Sequence, residues 1–191
     1  MNWQTIGQEV PRRGNRFTQW CGRSLFGIMG WDMIGDFPDR RQFIVALAPH
    51  TSNIDFVLAA CVIWGYRLHA SFLIKKSVFF FPLSVIMNMF GAIPVDRSAA
   101  SGLVEEMAQK FADHPRMLLG ITPEGTRRKV RSWRKGFAHI AAAANVPVLP
   151  VTINYQLKQV RIEPLIEDVS DPDRTLEIVQ QAAHKWGHPR R

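Results

Sequence analysis

His50 and Asp55 stand five positions apart in the segment Ala48-Pro-His-Thr-Ser-Asn-Ile-Asp55. An imidazole beside a carboxylate is a general base of the simplest kind: the carboxylate accepts the Nδ1 proton and leaves Nε2 free to take one from a substrate. No serine or cysteine nucleophile is needed, because such a base can activate a substrate hydroxyl directly for attack on an acyl donor. Residues five apart on one helix do not share a face, so the pairing requires a bend between them. The same residues have a second reading. Ser52-x-x-Asp55 fits a capping box, in which Asp55 satisfies amides at a helix start and His50 is a hydrogen-bonded core residue. A chain with six histidines offers this spacing readily by chance, so the pair alone does not choose.

Two later segments carry anion-binding chemistry. Gly91-Ala-Ile-Pro-Val-Asp-Arg97 sets a guanidinium just after a short strand, where its fork can grip a phosphate. Pro123-Glu-Gly-Thr-Arg127 follows the next strand; Gly125 permits close backbone approach, and Thr126 and Arg127 supply donors for the same anion. Each in isolation reads as a surface turn with an ordinary arginine. Both follow strands, however, and in an open α/β sheet the loops at the carboxyl ends of strands form the binding crevice.

The elements that must hold these loops are legible from apolar periodicity. Strands are predicted at Phe43 to Ala48, His69 to Ile74, Ala92 to Val95, Met117 to Thr122 and Val148 to Asn154, with Val160 to Ile162 as an added edge. Helices are predicted at Asn15 to Trp31, from the His50 loop through Trp64, and at Pro82 to Phe90, Ala99 to Ala112, Trp133 to Ala144 and Pro172 to Trp186, the last capped by Asp171. Alternation of strands and helices predicts one α/β domain: a central mixed, largely parallel sheet with helices on both faces and an amphipathic amino-terminal helix. The chain divides at 36 and 37, into an amphipathic membrane-interface segment and the α/β domain proper.

In that first helix Phe17, Trp20, Cys21, Leu25, Phe26 and Met29 recur at helical spacing, with Arg16 and Arg23 among the polar positions and Arg12 and Arg13 just before it. The pattern suits an interfacial anchor, cations at lipid headgroups and aromatics in the acyl boundary, and equally an ordinary helix packed on the core. Ser77 to Val95 lacks charge and is long enough to span a bilayer, but Pro82, Ser84, Asn88, Gly91 and Pro94 interrupt it; a buried or membrane-facing helix is the better expectation, and Val78 to Phe90 could line an acyl tunnel.

The net charge of +8 over 191 residues implies an anionic partner without naming it: nucleic acid, anionic lipid or an acidic carrier protein. Arg127 to Lys135, RRKVRSWRK, concentrates cations around Trp133 and could touch headgroups, coenzyme A phosphates or an acidic carrier, or be a solvated face. It has one interleaved aromatic and accompanies no recognised nucleic-acid motif, which argues against a nucleic-acid partner. Cys21 and Cys61 read as buried, reduced thiols, and no cluster has metal-ligand spacing. The amino terminus lacks the apolar core of a secretory leader, so the cytoplasmic face of the membrane is expected, with peripheral or monotopic attachment.

Four blocks in order, His50 with Asp55, Gly91 to Arg97, Pro123 to Arg127 and Val146-Pro-Val-Leu-Pro-Val151, resemble the 1-acylglycerol-3-phosphate acyltransferase family, within the wider glycerolipid acyltransferases. Ser52 also matches a residue that the family commonly carries, whereas Thr122 stands where the family usually has Phe. The resemblance implies a non-covalent ternary mechanism. His50 would deprotonate the acceptor hydroxyl while Asp55 holds the ring, and no cofactor is implied beyond an acyl-CoA or acyl-carrier-protein donor. Arg97, Glu124, Gly125, Thr126 and Arg127 would bind glycerol phosphate, Gly91 and Pro150 would help shape the site, and Lys75 and Lys76 resemble basic residues lining the phosphate pocket. The implied acceptor is a lysophospholipid, first 1-acylglycerol-3-phosphate; another lysophospholipid or an amino-acid lipid would fit the same four blocks.

Overall fold

The computed structural model describes residues 3, 5–76, 79–81, 84, 91–95, 102–126 and 132–190, with the side chain of Lys75 outside that set. Helix α1 (Arg16–Ile28) starts at Asn15, whose side chain accepts from the amide of Thr18 while the Thr18 hydroxyl accepts from the amide of Asn15, a reciprocal cap that uses two orphan donors. Strand β1 (Asp32–Ile34), which apolar periodicity did not predict, follows it. The central strand β2 (Gln42–Ala48) leads through Pro49 and His50 into α2 (Ile54–Tyr66). After these come β3 (Ala70–Lys75), β4 (Ala92–Val95), α3 (Leu103–Asp113), β5 (Met117–Ile121), α4 (Gly136–Ala144), β6 (Val148–Asn154), β7 (Gln159–Ile162) and α5 (Pro172–Trp186).

The seven strands form one sheet in the order β1-β7-β6-β2-β5-β3-β4. From β6 to β4 the neighbours are parallel, and β7 runs antiparallel to β6. The largely parallel mixed sheet is the one expected, with one correction: β7 is not an edge, because β1 pairs beyond it, Met33 opposite Val160. Strand β2 is buried on both faces, and its side chains alternate accordingly. Phe43 joins a core with Phe26, Leu58, Cys61 and Tyr66 under α1 and α2; Ile44 joins another with Met107, Phe111, Phe137, Ile140 and Val179 under α3, α4 and α5. Each such side chain withdrawn from water stabilises the fold by about 1.5–3 kcal/mol before entropy is counted.

Helix α1 meets α2 at its glycine. A Cβ on Gly22 would lie 2.7 Å from both the carbonyl of Cys61 and the amide of Gly65, so the backbones touch. That contact settles half of the question posed by the amphipathic pattern: α1 packs on the core through Gly22 and Phe26. It also leaves Phe17, Trp20 and Ile28 exposed at 70, 64 and 84%. Arg12 and Arg23 donate to the carbonyls of Ile6 and Gly65, and Cys21 is only half-buried, unlike Cys61. Among the described residues no helix is long and apolar enough to cross a membrane. The expected helix at Pro82 to Phe90, the tunnel at Val78 to Phe90 and the start of the one at Ala99 lie wholly or mostly outside the described residues.

Candidate active site

Strand β2 ends at Pro49 because proline has no amide to continue the ladder, and the chain turns through His50-Thr-Ser-Asn into α2. The turn wraps around the carboxylate of Asp55, which is fully buried in the first turn of that helix. Oδ2 accepts from the amides of Thr51 at 2.7 Å and Ser52 at 2.8 Å, and the Ser52 hydroxyl accepts from the amide of Ile54. Asp55 therefore satisfies the loop amides as a capping carboxylate would, and the His50 Nδ1 lies 3.1 Å from the same Oδ2. The ring nitrogen sits to one side of the ideal donor line, so the contact is close without being an aligned hydrogen bond. The His50 side chain is 18% exposed, which leaves one edge of the ring within reach of solvent or substrate.

Two further groups close the cluster. Tyr155, immediately after β6, donates its hydroxyl to Asp55 Oδ1. Glu124, in the loop after β5, accepts the backbone amide of His50 on Oε2 at 2.9 Å. Burial pushes the Asp55 carboxyl up, but the close approach of the His50 ring and the hydrogen bonds from Tyr155, Ser52 and Thr51 together outweigh it and hold the group below the usual aspartate range. Burial raises Glu124, and the single bond from His50 with the nearby imidazole only partly offsets this, while the charge of Asp55 adds to the rise. Of two carboxylates facing one histidine, Asp55 is therefore the one built to stay ionised.

The segment after α5 straps across the same loop. The His188 amide donates to Ile153 and its carbonyl accepts from Tyr155, while the Arg190 amide donates to the Thr51 hydroxyl and its guanidinium to the Ser52 hydroxyl at 3.3 Å. The strap passes so close to Pro49 that a Cβ on Gly187 would lie 2.6 Å from the proline Cδ.

The other residues expected at the site fall into three groups. Gly125 has φ +64°, and the stem of Arg134 lies over it, 3.1 Å from where a Cβ would stand; Thr126 beside it is exposed. Gly91, at φ +72°, packs against the carbonyl of Ala70, 2.3 Å from where its Cβ would be, so it shapes the turn into β4. Lys76 is exposed at the end of β3. Pro150 is not brought to His50: it lines a cavity of about 260 Å³ with Glu163, Ile178 and Trp186. Arg97, Arg127 and the side chain of Lys75 lie outside the described residues, as does most of the cationic run, of which Lys135 pairs with Asp173. Among the described residues no three His, Cys, Asp or Glu side chains gather as a metal site.

Sequence reasoning missed Tyr155 and Arg190. The first is 100 positions from its partner, and nothing local announces that contact.

The family described as Acyltransferase matches residues 35–154. The chain is 26% identical over 151 residues to a 1-acyl-sn-glycerol-3-phosphate acyltransferase of Cocos nucifera, covering 74% of this chain and 47% of that protein. It is 27% identical over 128 residues to the Escherichia coli (strain K12) protein of the same name, covering 63% and 51%. The chain thus spans about half the length of the curated relatives it matches. Its fold is shared with the crystal structure of the 1-acyl-sn-glycerophosphate (LPA) acyltransferase PlsC from Thermotoga maritima, at TM-score 0.64 and 21% identity, over 89% of this chain and 78% of that one.

Proposed function

The chain belongs to the acyltransferase family, and we propose that it moves a fatty acyl group from a thioester to the free hydroxyl of a lysophospholipid, 1-acylglycerol-3-phosphate giving phosphatidic acid. The observation that carries this reading is the His50 Nδ1 placed 3.1 Å from a buried carboxylate that its surroundings keep ionised. With Nδ1 protonated toward Asp55, Nε2 is the base. It takes the hydroxyl proton as the oxygen attacks the thioester carbonyl; the tetrahedral intermediate then expels the thiolate, which receives that proton from His50. No acyl group is carried by the protein. General base catalysis supplies about two to four powers of ten, so positioning of the acceptor must contribute much of the rest.

Glu124 serves this reading through the His50 backbone, and Gly125, Thr126 and Lys76, with Arg97 and Arg127 by resemblance, form the phosphate side of the crevice. Residues 1–36 are the membrane-interface segment, seated by Gly22 and Phe26 and presenting Phe17, Trp20 and Ile28 to an anionic cytoplasmic leaflet. Acyl-CoA and acyl carrier protein are the two candidate donors.

The test is an acyl-transfer screen with purified protein, both donor types, and a panel of acceptors that includes 1-acylglycerol-3-phosphate, other lysophospholipids and an amino-acid lipid. Phosphatidic acid formation that disappears in His50→Ala is the expected result. Turnover unchanged in His50→Ala would remove the mechanism, and transfer confined to another acceptor would replace the substrate.

A further inference from the structure

The buried carboxylate of Asp55 has two oxygens, and only one is explained by the histidine and its loop. Oδ2 is occupied by the amides of Thr51 and Ser52 and lies beside the His50 ring. Oδ1 is bound by the Tyr155 hydroxyl. A fully buried carboxylate with an unsatisfied oxygen would be driven toward protonation, and protonated it could no longer orient or stabilise a charged imidazole.

Tyr155 is held for this task from three sides. The alternation along β6 puts Leu149, Val151 and Ile153 in the core beneath α2, and the chain continues that parity to Tyr155. Its ring meets Trp31 edge-on at 5.0 Å, and its amide is tied to the carbonyl of His188 at 3.0 Å. Burial first, and then the hydrogen bond and charge of Asp55, push its phenol well above the ordinary tyrosine range, so it is protonated and available as a donor at neutral pH. Ser52 lies against the phenol oxygen in turn, with Arg190 behind it.

We propose that Tyr155 is a positioning residue for the acyl transfer, fixing Asp55 through Oδ1 so that the other oxygen stays ionised and aimed at His50. It touches no reacting atom and acts only through the carboxylate. The inference rests on the reading of His50 and Asp55 as the general base pair.

Tyr155→Phe keeps the ring against Trp31 and removes only the hydroxyl. The expected result is a kcat lowered roughly tenfold with KM unchanged, as for loss of one hydrogen bond to a charged group. Adding Tyr155→Phe to Asp55→Asn should cause no further fall, since both act on one carboxylate. A substrate-free readout runs beside these. With isotope-labelled tyrosine Cζ the chain gives two signals, from Tyr66 and Tyr155, and the one lost in Tyr155→Phe should shift in Asp55→Asn while the other holds still. Full kcat in Tyr155→Phe, an additive loss in the double variant, or an unmoved Cζ signal would overturn the proposal. If the wild-type protein transfers no acyl group, the proposed function fails by itself, and the Cζ signal alone decides whether Tyr155 is tied to Asp55.

Discussion

Glu124 Oε2 accepts the backbone amide of His50 at 2.9 Å, tying the loop that follows β5 to the loop that follows β2. These strands are neighbours in register, Ala46 opposite Ile121, so their ends emerge side by side and a short carboxylate suffices to join them. The contact gives Glu124 a role that the resemblance to phosphate-binding motifs did not suggest.

Replacement of Glu124 separates the hydrogen bond from the charge. Glu124→Gln keeps an acceptor for the His50 amide, while Glu124→Ala strands that amide and should lose about 1–3 kcal/mol. Because burial raises the carboxyl above its unfolded value, its ionisation lowers stability as pH rises through the interval between the ordinary and the raised values. Glu124→Gln should therefore melt at or above the wild-type temperature at neutral pH, and the two should converge below the ordinary glutamate range, where both are neutral. Thermal unfolding across pH checks both statements.

Asp55 has the opposite sign. Its carboxyl lies below the ordinary range, so its contribution is present above that range and is lost as pH falls through the depressed value. Asp55→Asn should flatten the acid limb of the stability profile and reduce turnover by roughly two to four powers of ten, with circular dichroism at neutral pH unchanged. Activity near wild type would show that the carboxylate is only a cap.

The seam between α1 and α2 has no room for a side chain. Gly22→Val should lose about 1–3 kcal/mol in urea unfolding, since the atoms a Cβ meets are backbone and cannot move aside cheaply.

The exposed face of α1 predicts the reverse pattern. Phe17→Glu with Trp20→Glu should leave unfolding unchanged, because neither residue is buried, and should weaken sedimentation with anionic vesicles by roughly tenfold or more, each aromatic contributing about 1.5–3 kcal/mol when taken from water. Equal vesicle binding would assign that face elsewhere.

The sequence patterns that read well were those where packing repeats itself. Phe43 to Ala48 is apolar throughout because both faces of β2 are covered, and Asp171 with Pro172 marks the start of α5 by local chemistry alone. Strand β1 escaped because three residues between Gly30 and Gly35 show no period, and its partner lies in β7. In the site, the nearness of His50 and Asp55 was readable because one turn joins them. Tyr155 was not, since its contact depends on how β6 lies against β2. The parity of β6 explains Pro150 too: Pro150 sits opposite Ala46, whose side chain belongs to the core under α4 and α5, whereas Tyr155 continues the set facing α2. The same strand thus sends one expected residue away from the histidine and leads an unexpected one to Asp55.

The glycine seam has a geometric consequence. Helix α2 carries Asp55 in its first turn and touches Gly22 through Gly65 near its last, a separation of roughly 15 Å at ~1.5 Å per residue. With the two backbones in contact at Gly22, α2 works as a ruler: the carboxylate is held at a fixed offset from the outer surface of α1, an offset set by helix length rather than by loop motion.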